Sequence, residues 1–191
     1  CLYASLRLGL RTNEVARLVE ALQLRLAKND MEFEPQQSAN ILHALAALHG
    51  AGAGPHDVPV ALPGLVVPAV VGRVLKFPRW TEHSHLLASA AVSCARLRHT
   101  PAPLFALAGR TVRTSSAALP KQGIADLVAA FAVAGFSDLD FFSWALGQLP
   151  SAGVAIPMGS MLTVLGALDY ANHTFASPGG LTQWPDEGEL A

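Results

Sequence analysis

The stretch Ser38-Ala39-Asn40-Ile41-Leu42-His43-Ala44-Leu45-Ala46-Ala47-Leu48 returns in altered form as Ile124-Ala125-Asp126-Leu127-Val128-Ala129-Ala130-Phe131-Ala132-Val133-Ala134. Looser copies are Ser84-His85-Leu86-Leu87-Ala88-Ser89-Ala90-Ala91 and Ser160-Met161-Leu162-Thr163-Val164-Leu165-Gly166-Ala167-Leu168. Apolar residues three and four apart make each copy an amphipathic helix. Anchored on Ile41, Leu86, Leu127 and Met161, successive copies lie 45, 41 and 34 residues apart, enough for two helices and a loop of variable length. The expected fold is therefore all-α, an α-solenoid of stacked antiparallel helical hairpins with about four to five repeats. Arrays of this kind offer an extended surface rather than a catalytic pocket, and commonly hold another macromolecule.

The turns agree with that reading. Apolar positions Val15, Leu18, Val19, Leu22 and Leu26 predict a return helix from about residue 15 to 28, with Asn13 as its cap. Pro35 opens the next helix beside Glu34, and Gly50-Ala51-Gly52-Ala53-Gly54-Pro55 closes it. Its companion is a Pro-containing apolar helix around Leu65 to Leu75. The third unit starts near Arg79-Trp80-Thr81-Glu82 with Thr81 as a cap, and returns through residues 103–114. The fourth starts at Leu119-Pro120-Lys121-Gln122 and ends at Gly135; Ser137-Asp138 cap its return helix, which stops before Pro150. A fifth unit runs from about Pro157 to Asn172. Residues 1–176 are thus expected to form the repeat domain, and residues 177–191 an acidic, irregular tail. Alanines at 39, 44, 46 and 47 let helices approach closely while Leu42, Leu45 and Leu48 fill the gaps, which leaves Asn40, His43, His85 and Asp126 for recognition.

Apolar residues make up 51% of the chain and charged residues 14%, against about 25% charge in an ordinary soluble domain. So little charge implies that much of the surface meets a partner. The net charge of −1 hides an asymmetry: residues 1–121 carry all 13 Lys and Arg with 7 acids, whereas residues 122–191 carry 7 acids and no Lys or Arg. A polyanion at one end and proteins at the other would suit that division. Cys1 and Cys94 have no metal-ligand spacing, and a disulfide framework is not indicated. The sequon Asn172-His173-Thr174 has no other sign of secretion beside it. The apolar run Val58 to Gly72 is short and broken by Pro59, Pro63 and Pro68, so no membrane span is expected.

Pro35-Gln36-Gln37-Ser38-Ala39-Asn40-Ile41-Leu42-His43-Ala44-Leu45-Ala46 and Pro120-Lys121-Gln122-Gly123-Ile124-Ala125-Asp126-Leu127-Val128-Ala129-Ala130-Phe131-Ala132 resemble the helical repeats of heptatricopeptide, octotricopeptide and Fas-activated serine/threonine kinase-like proteins. The resemblance implies an organellar protein that binds RNA, mitochondrial first and plastid second. It implies either a structural part of a mitochondrial ribosome or a free factor in RNA processing or translation. A protein-binding scaffold in a mitochondrial membrane complex is the alternative that low charge suggests.

Phosphate contact requires cations, and the candidate RNA-binding residues are Arg73, Lys76 and Arg79 after one helix, Arg96 and Arg98 with His99 at the next turn, and Arg110 and Arg113 three apart on one helix face. Catalytic residues are not expected. His83 and His85, two apart, point to different sides of a helix, so no metal site is expected either. Asp138 and Asp140 fit a helix start better than a metal pair. There is no Gly-rich phosphate loop or nucleophile elbow, and no cofactor or small-molecule substrate is expected. Trp80, Trp144 and Trp184 are candidate interface anchors, with core packing equally open to the first two.

Overall fold

A computed structural model describes residues 13–28, 33–50, 64–115, 119–148, 164–167 and 169. Every regular element among them is helical: α1 (Asn13–Ala27), α2 (Pro35–Gly50), α3 (Val66–Lys76), a 3-10 turn (Trp80–His83), α4 (Ser84–Arg96), α5 (Ala102–Thr114), α6 (Lys121–Ala134) and α7 (Leu139–Gln148). The all-α expectation is met. Residues 164–167 and 169 of the anticipated fifth unit are helical, while the tail with Trp184, the sequon and Cys1 lie outside the described residues.

The repeated helices α2, α4 and α6 form one layer, in which α4 packs against both others. The second layer holds α1, α3, α5 and α7, each against the next. Across the layers α2 meets α3, α4 meets α5, and α6 meets α7. Packing within the first layer is the more extensive because its buried faces are built from small residues: Ala39, Ala44 and Ala46 on α2, Ala88, Ala90, Ala91 and Ala95 on α4, Ala125, Ala130 and Ala132 on α6. Without side chains to hold the axes apart, the helices close to short distance and Leu42, Leu45, Leu87 and Leu127 fill the remaining space, fully buried.

The last described hairpin packs differently. Phe131 of α6 lies 4.0 Å from Phe141 in a stacked pair and 5.4 Å from Phe105 edge to face, while Phe105 stacks on Phe136 at 5.2 Å. Aromatic bulk here replaces the alanines used elsewhere. Gly109 makes the approach possible, because a Cβ on it would stand 3.2 Å from the Phe131 ring and 3.1 Å from Asp138 Oδ2.

Helix ends explain where the elements stop. Gly135 takes φ 73°, and its N–H donates to Ala132 O while that of Phe136 donates to Phe131 O, closing α6 as expected. Asp138 Oδ1 accepts from the Phe141 N–H at 2.9 Å, the cap anticipated for α7. The Thr81 cap is a correction: Thr81 lies within the 3-10 turn, and α4 begins three residues later at Ser84. The turn is held instead by Trp80, which is buried and donates its indole N–H to Val74 O at 2.7 Å, and by the edge-to-face pair of Phe77 and Trp80. Trp80 is thus a core residue, and Trp144 is half-buried against Phe141.

Cys94 is fully buried on α4, and that burial pushes its thiol from an ordinary 9.0 up to about 12. Its folded value exceeds its unfolded one, so the stability present below pH 9.0 should decline as pH rises from there toward about 12. In native protein near neutral pH, Cys94 should resist iodoacetamide until urea unfolds the chain; rapid alkylation without denaturant, read by mass spectrometry, would contradict its position.

Candidate nucleic-acid interface

Contacts place the cationic segments relative to one another: α5 packs on the 3-10 turn that follows α3, and Ser115 Oγ, just past α5, donates to Thr81 O at 3.1 Å. The ends of α3 and α5 therefore share one side of the molecule. Arg73, Lys76, Arg79, Arg110 and Arg113 all come from these segments, whereas Arg96 and Arg98 leave the far end of α4, about 20 Å away along that helix. The structure divides the candidate residues into two groups.

Within the first group the charges differ in availability. Lys76, Arg79 and Arg110 are exposed and form no ion pair among the described residues. Arg73 is half-buried, its guanidinium 5.3 Å from the centre of the Phe33 ring. Arg113 is engaged by protein: Nη2 lies 3.7 Å from Asp138 Oδ2, Nη1 lies 3.4 Å from Asp140 Oδ2, and Nε donates to Gly109 O at 3.2 Å. The shared face inferred for Arg110 and Arg113 thus carries, among the described residues, one cation without an ion pair, and the acidic pair that reads as a capping element also holds a guanidinium.

In the second group, Arg96 and Arg98 are exposed, but His99 is half-buried and desolvation lowers its pKa from the usual 6.5. Burial thereby favours the uncharged imidazole of His99. Arg98 occupies the left-handed position that closes α4, with φ 55°; its N–H donates to Ala95 O, and that of His99 to Cys94 O. Gly135 fills the corresponding position after α6. A side chain in that conformation is strained by roughly 1 kcal/mol relative to glycine. Replacing Arg98 with glycine should raise stability by about that amount in urea titration; a loss of stability would show that the Arg98 side chain has a structural contact.

Asn40, His85 and Asp126 sit at matching register positions on α2, α4 and α6, and Asn40 and Asp126 are each bonded by a glutamine one turn earlier. Gln36 Nε2 donates to Asn40 Oδ1 at 3.0 Å, and Gln122 Nε2 to Asp126 Oδ1 at 2.8 Å. His43 and His85 border one open cavity with Asp126 and Arg96. Sequence reasoning identified these polar positions but missed the apolar stripe beside them, Val92, 7 residues after His85, with Ala129 and Val133, 7 and 11 residues after Gln122. His83 and His85 do not converge, and the described residues contain no group of His, Cys, Asp and Glu fit to hold a metal. No described helix is long and apolar enough to cross a membrane. In comparisons with known proteins, no family model, no curated protein and no solved structure matches this chain.

Proposed function

We propose that the chain is an α-solenoid that binds RNA without catalysis, as a structural component of a mitochondrial ribosome. Its basic part would lie against rRNA and its acidic C-terminal third against neighbouring proteins. The observation that carries this reading is the placement of Lys76 at the end of α3, Arg79 just after it and Arg110 in the last turns of the neighbouring α5, all exposed and without an ion pair among the described residues. A phosphodiester chain crossing that end would release counterions at each contact. The solenoid reading rests on the alternation of layers, in which each helix packs on the second helix after it. The mitochondrial setting rests on the repeat resemblance and on the low charge, which fits a protein enclosed in an assembly.

Sedimentation of mitochondrial lysate before and after ribonuclease treatment tests the proposal. The chain should travel with one ribosomal subunit and leave it when the RNA is digested. Migration in light fractions with ribonuclease-sensitive partners would favour a free RNA-processing or translation factor instead. Retention in a ribonuclease-resistant membrane complex would favour a protein scaffold.

A further inference from the structure

On the layer opposite the cations of α3 and α5, the surface of α2, α4 and α6 contains two adjoining cavities of about 280 Å³ each, which share Val92, Arg96 and Asp126. Their floor is apolar, made by Ala88, Val92, Ala95, Ala129 and Ala130, and Val133 stands 56% exposed at one edge. The lining carries one guanidinium and one carboxylate, and the imidazoles of His43 and His85 are the other titratable groups that face it. Arg96 has no hydrogen bond or ion pair among the described residues. With charges of opposite sign balanced, this groove lacks the excess of cations that a phosphodiester requires. Apolar floor and paired dipoles suit a polypeptide.

The two charges differ in availability: Asp126 is half-buried and already accepts from Gln122, whereas Arg96 is exposed and its guanidinium has no partner among the described residues. We infer that the α2–α4–α6 groove binds a segment of a partner protein, one that seats an apolar side chain between Val92 and Ala129 and an adjacent Asp or Glu on Arg96. This goes beyond the RNA reading, since it assigns a second partner to a different face, and the unpaired guanidinium is what selects an acidic one.

The test uses the intact chain and two fluorescent probes: a capped hexapeptide alternating Leu and Asp, and a decauridylate. The Leu-Asp peptide should bind in anisotropy titrations, its Leu-Lys counterpart should not, and Arg96→Gln or Val133→Asp should weaken binding by about tenfold or more with the circular dichroism unchanged. The double variant Arg79→Glu/Arg110→Glu should leave peptide binding intact. Equal binding of the Asp and Lys peptides, or full affinity in Arg96→Gln, would overturn the inference, as would loss of decauridylate rather than peptide in that variant. Failure of the RNA reading is read separately, from decauridylate binding that is indifferent to Arg79→Glu/Arg110→Glu.

Discussion

Phe131→Ala should destabilise the chain by about 4 kcal/mol, a large fraction of the roughly 5–15 kcal/mol that holds a domain folded. Phe131 is fully buried and touches four other aromatic rings: Phe141 at 4.0 Å, Phe105 at 5.4 Å, Phe136 at 6.1 Å and Phe142 at 6.4 Å. It joins α5, α6 and α7 at one point, so truncation opens a cavity that no single helix can close by shifting. For a chain of this size, that loss corresponds to a fall in melting temperature of about 12 °C. Phe131→Leu preserves most of the volume and should lose much less, roughly 1 kcal/mol. Urea unfolding followed at 222 nm measures both; a loss below about 1 kcal/mol for the alanine variant would contradict the packing described.

Reversing two charges at the cationic end should have the largest effect on binding. Arg79→Glu/Arg110→Glu places carboxylates where exposed guanidiniums lie near the ends of α3 and α5. Each lost phosphate contact lowers the salt dependence of affinity by about 0.7 for single-stranded RNA, and the new charges repel as well, so affinity near roughly 100 mM salt should drop by about a hundredfold or more. Neither side chain is buried or ion-paired among the described residues, and the helical content should not change. Arg113→Gln provides the contrast. Because Arg113 is held by Asp138 and Asp140, its loss should affect the α5–α7 connection and leave RNA affinity nearly unchanged. A hundredfold loss in Arg113→Gln and none in the double variant would assign the interface to the wrong residues.

The repeat of Ser38–Leu48 at Ile124–Ala134 was enough to place the helices, because small and large apolar residues recur at fixed register and the two layers follow from burying them. Gly135 and the Asp138 cap were legible for the same local reason, since their chemistry acts within a few residues. Thr81 misled because a tertiary contact decided the start of α4: the indole of Trp80 reaches back to Val74 O and winds residues 80–83 into a 3-10 turn. The site was less legible. Neutralisation of Arg113 depends on carboxylates 25 and 27 residues away, and the lowered pKa of His99 depends on burial, neither of which leaves a periodic signal. Spacing alone also could not separate Arg96 and Arg98 from the cations of α3 and α5, because that division comes from which way α4 runs.

On the proposed reading, exposed cations at one end make these helices an RNA-binding surface. Titration of a fluorescein-labelled decauridylate with the intact chain, at salt from roughly 50 to 200 mM, tests it most directly. Binding is expected at the low end and should weaken steadily with salt, with a logarithmic slope of about −2 for three phosphate contacts through Lys76, Arg79 and Arg110. Absence of binding at the lowest salt, or an affinity that does not respond to salt, would contradict it.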